Sequence, residues 1–231
     1  MKLDRTRQVD LRSLNYRIEK PADYTPRSYT WKPGPVLDQG KEGACVGFGW
    51  THELSARPAM VKSASIDLAL AIYRDAQKID EWPGEAYEGT SVLAGAKVAK
   101  ARGYITEYRW CLDIDDLIIS LGYHGPVVIG VDWYTNMFDT DKDGYIRPTG
   151  RIEGGHCVML NKVSLKKAAD GSIDYMKSYV GGVNSWGESW GDKGRFKIAL
   201  IDVAKLFPGG DFAVPMGRKI PKTLLSRLGL G

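Results

Sequence analysis

The stretch NSWGESWGDKGRF, residues 184–196, holds an asparagine, two Trp-Gly pairs and a further glycine directly before a short apolar segment. Its glycines and acidic residues are typical of a tight loop, and the segment that follows, Arg195–Leu200, has the length and composition of a β-strand. The meaning of this stretch depends on two other segments, one built around a cysteine and one around a histidine.

The cysteine segment is PVLDQGKEGACVGF, residues 35–48, in which Gln39 lies six residues before Cys45 with Gly40 and Gly43 between them. Cys45 stands where an apolar helix, predicted over residues 44–57, begins. A helix N-terminus carries partial positive charge and unpaired N–H groups, both of which favour a thiolate. The pattern therefore indicates a reactive cysteine and not a merely structural one.

A nucleophilic cysteine needs a base, a group that orients the base, and donors for the developing oxyanion. The chain has three histidines. His52 lies seven residues along the same predicted helix, roughly 10.5 Å from Cys45 along the axis, and cannot reach the sulfur. His124, in a Tyr-His-Gly-Pro turn, remains possible, whereas His156 follows Glu153-Gly-Gly and opens an apolar strand that can aim it into a cleft.

Taken together, the three segments resemble the papain family of cysteine peptidases. Gln39-Gly40, Gly43-Ala44-Cys45, Gly155-His156 and the element from Asn184 to Gly194 occur in the family's order and spacing. The resemblance implies that Cys45 is the nucleophile, His156 its general acid and base, and Asn184 the residue that orients the imidazole. It further implies that Trp186 shields that hydrogen bond and that the Gln39 side chain helps form the oxyanion hole.

The resemblance also implies substrate contacts. Gly89 matches the glycine whose backbone binds the substrate peptide as an extra strand. Gly130 and Cys157 fall where the family builds its main specificity pocket, and Gly155 lies beside the histidine. The implied substrate is a peptide or protein, cleaved through an acyl-enzyme intermediate, with no cofactor.

The predicted fold class is α+β, with a helical N-terminal lobe, an antiparallel β-barrel-like C-terminal lobe and the active-site cleft between them. Helices are predicted over residues 44–57, 66–79 and 90–102, and strands over 126–133, 156–160, 175–180 and 195–200. An elongated hairpin is expected over residues 166–174.

The expected domain division is an N-terminal extended arm (1–32), a peptidase domain (33–215, with the helical lobe about 37–120 and the β lobe about 121–215) and a basic C-terminal tail (216–231). The 44 residues before Cys45 are too few for the family's usual inhibitory propeptide. We expect the arm to lie as an accessory strand on the surface, with a position over the cleft as the alternative.

Composition and short motifs bear on whether the protein spans a membrane, binds nucleic acid, forms disulfides or holds a metal. No apolar run approaches the ~20 residues of a membrane span, and no basic block with interleaved aromatics indicates nucleic-acid binding. Glu42 stands where the resemblance places a disulfide cysteine, so we expect free thiols and a cytoplasmic protein, with release by cell lysis or another export route as the alternative. We also expect a monomer. Residues 139–144 begin like a calcium loop, but Gly150 occupies the position of its bidentate glutamate, so an Asp-rich turn is expected and no metal.

Two alternatives stay open. The same site could serve an exopeptidase or a peptide transferase, with the basic tail restricting cleavage to chain ends. A non-catalytic, peptide-binding pseudopeptidase is the other, although all four predicted catalytic groups are present.

Overall fold

The computed structural model describes residues 1–8, 10–82 and 87–219, apart from the side chain of Leu14. Five α-helices occur in these ranges: α1 (Cys45–Ser55), α2 (Ile66–Gln77), α3 (Val92–Ala101), α4 (Ile114–Ile119) and α5 (Leu200–Ala204). Ser65 and Ser91 cap α2 and α3 by accepting hydrogen bonds from Leu68 N and Ala94 N. None of these helices combines the length and the hydropathy that a bilayer crossing requires.

Helix α1 is the central helix, and its first ten residues are all buried. Gly47 and Gly49 cost helical propensity, but each lies where another element comes too close for a side chain. A Cβ at Gly47 would overlap the backbone of α2, and one at Gly49 would lie 2.8 Å from the sulfur of Cys157. The two glycines thus let α1 pack tightly between α2 and the sheet.

The sheet is antiparallel and has seven strands: β1 (Tyr29–Thr30), β2 (Glu107–Trp110), β3 (Val127–Tyr134), β4 (Ile152–Ser164), β5 (Tyr179–Val183), β6 (Arg195–Ala199) and β7 (Asp211–Met216). Their order is β2-β7-β3-β4-β5-β6, and β1 pairs with β4 beyond the end of β3. The long β4 therefore forms the middle of the sheet and carries His156.

The predicted α+β class is confirmed, with a helical region and an antiparallel sheet. The three predicted helices occur as α1, α2 and α3, and the predicted hairpin contains an antiparallel bridge between Lys167 and Ile173. The strand predicted over residues 175–180 was placed too early, because β5 begins at Tyr179 after a turn in which Asp174 accepts backbone hydrogen bonds.

Candidate active site

Cys45 is the first residue of α1 and is fully buried. Its sulfur faces the backbone N–H groups of Asp4 and of Cys157, which directly follows His156. Burial raises the pKa of the Cys45 thiol to about 11, against the opposing effect of those two amides. The sulfur thus lies at a helix N-terminus, beside the strand that carries the histidine.

The imidazole of His156 is held from three sides. Its Nε2 lies 2.8 Å from Oδ1 of Asn184, which accepts the hydrogen bond. The ring stacks on Trp186, with centroids 4.6 Å apart, and meets the edge of Trp133 at 4.7 Å. Because Nε2 binds the asparagine, Nδ1 is the nitrogen left to exchange a proton, and among the described residues it has no hydrogen-bond partner.

Gln39 is oriented by a residue from the asparagine loop. Its Oε1 accepts a hydrogen bond of 2.5 Å from Ser185 Oγ, and its backbone N–H donates to the carbonyl of Ser185. The side-chain amide is buried, and its Nε2 donates to the carbonyl of Glu42 at 2.8 Å and to that of Lys2, in the arm, at 3.3 Å. A donor in this position can serve a developing oxyanion.

Our expectation that the N-terminal arm lies as an accessory strand on the surface is correct for Tyr29–Thr30, the exposed β1 beside β4, but wrong for residues 2–6, which run through the cleft. The N–H of Arg5 donates to the carbonyl of Gly155 at 2.9 Å, and that of Thr6 to the carbonyl of Thr90 at 3.0 Å. A Cβ at Gly89 would overlap the Asp4 carbonyl, and one at Gly155 would overlap that of Arg5. The arm is held by backbone hydrogen bonds to cleft walls that contain Gly89 and Gly155. Because backbone groups make these contacts, no side-chain pattern in the sequence predicts them.

The arm changes the electrostatics of the site. With residues 2–6 in place, burial lowers the pKa of His156 to about 4, although the hydrogen bond to Asn184 opposes this shift. The raised pKa of Cys45 and the lowered pKa of His156 together favour the neutral thiol and the neutral imidazole. Water or substrate around the two groups in the place of the arm would reduce their burial and favour the thiolate–imidazolium pair.

The remaining predicted contact residues lie close to the same segment. Gly130 faces the side chain of Arg5, and a Cβ there would lie 2.7 Å from Arg5 Nε. Cys157 is buried with its sulfur against Gly49 of α1. The structure thus brings together the four predicted catalytic residues Gln39, Cys45, His156 and Asn184. Of the five predicted substrate-binding positions, Gly89, Gly130, Gly155 and Cys157 lie beside the arm, and Trp186 stacks on the histidine.

The other two histidines have structural contacts. Nε2 of His52 accepts a hydrogen bond of 3.0 Å from the N–H of Leu37, which requires a neutral ring. The carbonyl of His124 accepts a hydrogen bond of 2.8 Å from Nη1 of Arg218, which also pairs with Glu53 of α1. Neither histidine contacts Cys45 in the described part of the chain, which leaves His156 as the candidate base.

The Asp-rich turn before β4 is organised by its own backbone. Oδ1 of Asp141 accepts hydrogen bonds from the N–H groups of Asp143 and Tyr145, and Oδ2 pairs with Arg147. Within residues 1–8, 10–82 and 87–219, no group of three His, Cys, Asp or Glu side chains could hold a metal ion.

Four residues of the site were not singled out from the sequence: Thr90, Trp133, Ser185 and Asp211. Ser185 directly follows Asn184 in the motif of residues 184–196, and this position is the signal by which it could have been found. Trp133 ends a predicted apolar strand, and its position against His156 follows only from the pairing of β3 with β4. Asp211 opens a strand that the sequence analysis did not predict.

Comparison with known proteins identifies the family to which this chain is similar. Residues 90–203, about half of the chain, match the family model described as papain family cysteine protease. That range contains His156 and Asn184 but not Gln39 or Cys45. The cathepsin B-like cysteine proteinase 6 of Caenorhabditis elegans is 30% identical over 86 residues, which make up 37% of this chain and 21% of that protein. The chain thus spans about a fifth of the length of this curated relative.

Solved structures show the same fold. Xylellain, a cysteine protease from Xylella fastidiosa, superposes with a TM-score of 0.57 at 19% identity, covering 88% of this chain and 96% of its own. Procathepsin B from Trypanosoma congolense superposes with a TM-score of 0.56 at 16% identity, covering 92% of this chain and 82% of its own. Bromelain from Ananas comosus, solved with a bound inhibitor, superposes with a TM-score of 0.52 at 18% identity, covering 83% of this chain and 99% of its own. With its fold, its ordered motifs and the match over residues 90–203, the chain belongs to the papain family of cysteine peptidases.

Proposed function

We propose that this protein is a cysteine-type peptidase that hydrolyses peptide bonds through Cys45, His156, Asn184 and Gln39. The observation that carries the proposal is the 2.8 Å hydrogen bond between His156 Nε2 and Asn184 Oδ1, which leaves Nδ1 for proton transfer. Cys45, at the start of α1 with its sulfur facing the amide of the residue after His156, supplies the nucleophile.

The reaction begins when the sulfur of Cys45 passes its proton to His156 Nδ1 and attacks the carbonyl carbon of the substrate. The carbonyl oxygen becomes an oxyanion, which accepts a hydrogen bond from the Gln39 side chain. The C–N bond then breaks as the imidazolium returns its proton to the leaving amine, and a thioester on Cys45 remains. Water, deprotonated by His156, attacks this thioester, and the thiol and a carboxylic acid are released.

Covalent labelling by a peptidyl epoxide, read by intact mass and peptide mapping, tests the proposal. The wild-type chain and a Thr6→Pro variant, which loses the N–H donated to Thr90, are both labelled because the arm limits access. We expect a single adduct on Cys45, absent in Cys45→Ala and strongly slowed in His156→Ala. Cys111→Ala is the matched control, since Cys111 is buried against Ser120 away from the cleft.

The proposal would be contradicted if neither the wild-type protein nor the Thr6→Pro variant formed an adduct, or if Cys111 and Cys157 were modified equally. Either result would favour a peptide-binding pseudopeptidase.

Hydrolysis of short peptides with free and with blocked ends separates an endopeptidase from an exopeptidase. The idea that the basic tail restricts cleavage concerns residues 216–231, of which 220–231 lie outside the described residues. Residues 2–6 at the N-terminus occupy the cleft.

A further inference from the structure

A guanidinium group is enclosed in the cleft, one residue along the arm from Asp4, whose amide faces the Cys45 sulfur. The side chain of Arg5 is only 1% exposed. Its Nη2 forms an ion pair with Oδ2 of Asp211, and its Nη1 donates to the carbonyl of Gly209 at 3.2 Å. A second carboxylate, that of Asp132, lies 3.9 Å from Nη1.

The sheet itself builds this pocket. Gly130 on β3 pairs in register with Asp211 on β7, so the missing side chain and the carboxylate lie on neighbouring strands. A Cβ at Gly130 would approach Val92 and Arg5 Nε to 2.5 and 2.7 Å. The glycine thus leaves the space that a long side chain needs to reach Asp211.

The neighbouring backbone positions a peptide for this pocket. The N–H of Arg5 pairs with Gly155 and that of Thr6 with Thr90, both backbone carbonyls on the walls of the cleft. These carbonyls accept from any extended peptide, whatever its side chains. A substrate peptide that replaces the arm meets the same two acceptors, and a side chain at the position of Arg5 points at Asp211.

We propose that this pocket selects arginine side chains of substrate peptides, that Asp211 determines this specificity, and that Arg5 occupies the pocket when no substrate is bound. The inference rests on the proposed function, since it names the substrate class of the same cleft.

The chemistry of the pocket favours arginine over neutral and acidic residues. The carboxylate of Asp211 is 16% exposed, and a neutral substrate side chain would cover it without pairing its charge, which is costly. The planar guanidinium offers separate N–H groups to the Asp211 carboxylate and to the Gly209 carbonyl, whereas a lysine ammonium is a single point charge.

The test compares arginine with citrulline, which has nearly the same shape and no charge. Short peptides carrying either residue at successive positions are titrated calorimetrically into the full chain with Cys45→Ala, Arg5→Ala and Thr6→Pro. These changes prevent cleavage, empty the pocket and remove one backbone hydrogen bond of the arm. At the matching position we expect the arginine peptide to bind on the order of 100-fold more tightly than its citrulline counterpart.

The Asp211→Asn replacement in the same background should reduce this ratio to near one. The matched control is Asp132→Asn, whose side chain is more exposed and more distant, and it should retain most of the ratio. Equal affinities for arginine and citrulline, no binding of either peptide, or a ratio unaffected by Asp211→Asn would overturn the proposal. The binding test uses the Cys45→Ala background, so it does not depend on catalysis. If the protein prefers the arginine peptide but cleaves no peptide when Cys45 is present, the proposed peptidase activity is refuted and the proposed arginine pocket is not.

Discussion

At the scale of single residues, the hydrogen bond between His156 and Asn184 fixes both the tautomer and the direction of the imidazole. We expect Asn184→Ala to lower kcat for peptide hydrolysis by roughly tenfold to a hundredfold while KM changes little, because Asn184 acts through the histidine. The acidic limb of the pH–rate profile should move as well, since the hydrogen bond raises the pKa of His156.

Asn161→Ala is the control for that variant. Asn161 lies on the same strand as His156, but its amide donates to the carbonyl of Trp31 outside the cleft. Its replacement should leave kcat and the pH profile unchanged. An Asn184→Ala enzyme with wild-type kcat would rule out a positioning role for Asn184.

His52 gives a second prediction at this scale, on stability. Burial lowers the pKa of His52 to about 4, whereas the unfolded chain protonates near pH 6.5. Between these values the unfolded state binds more protons, so the free energy of unfolding falls as the pH falls, by about 2 kcal/mol per such histidine from pH 7 to 5. His52→Gln keeps an acceptor for Leu37 N but cannot titrate, so it should remove this share of the slope.

Urea denaturation at pH 7 and pH 5 measures the effect. The pH dependence of the free energy of unfolding that remains in His52→Gln is due in part to His156, whose pKa is also lowered to about 4. An unchanged slope would mean that His52 is protonated alike in the folded and unfolded states.

The residues of the site differ in how far the sequence could predict them. Gln39, Cys45, His156 and Asn184 lie in motifs whose spacing reflects chemistry, and the structure places them in one cleft. Ser185 and Asp211 act through contacts between segments 146 and 206 residues apart, with Gln39 and Arg5. Such contacts depend on the assembled sheet, so no local pattern indicates them.

At the scale of elements, the arm of residues 2–6 lies in the cleft, and the amide of Asp4 faces the sulfur of Cys45. Removing the guanidinium of Arg5 breaks its ion pair with Asp211 and its bond to Gly209, while the backbone hydrogen bonds remain. We expect Arg5→Ala to speed the alkylation of Cys45 by iodoacetamide at least about tenfold at pH 7, because the arm would then cover the Asp211 carboxylate without a partner for its charge, which favours release of the arm.

Arg12→Ala is the matched arginine variant on the same N-terminal segment. Its guanidinium is exposed and, within the described part of the chain, forms an ion pair only with the nearby Asp10, so the alkylation rate should not change. Equal rates for wild type and Arg5→Ala would show that the arm does not limit access to the sulfur.

The elements themselves were predictable where periodicity or an apolar run determines them, as in α2 and β3. Strand β2 is only four residues long and mixes charged with aromatic residues, so its strand state comes from pairing with β7. Strand β7 contains Pro215, which local patterns count against a strand, yet it occupies a place between β2 and β3. In both cases tertiary pairing outweighs the local sequence.

At the scale of the whole molecule, a buried ion pair connects α1 to the segment after β7. Glu53 is fully buried and pairs with Arg218, whose guanidinium also donates to the carbonyls of His124 and Pro126. Burial raises the pKa of Glu53, against the attraction of Arg218. Because taking two charges out of water is costly, a buried pair of this kind stabilises a fold little more than apolar groups of similar volume would.

This balance predicts a non-additive pair of mutations. Glu53→Leu should destabilise the chain by about 3 kcal/mol or more, because Arg218 would remain buried without its partner. Adding Arg218→Met replaces both charges with apolar groups of similar length, and the double variant should recover most of that loss. Urea denaturation of wild type, the two single variants and the double variant gives the coupling energy directly. Additive losses would instead mean that Glu53 and Arg218 stabilise the fold independently, and that the connection between α1 and the segment after β7 depends on the backbone contacts of Arg218 alone.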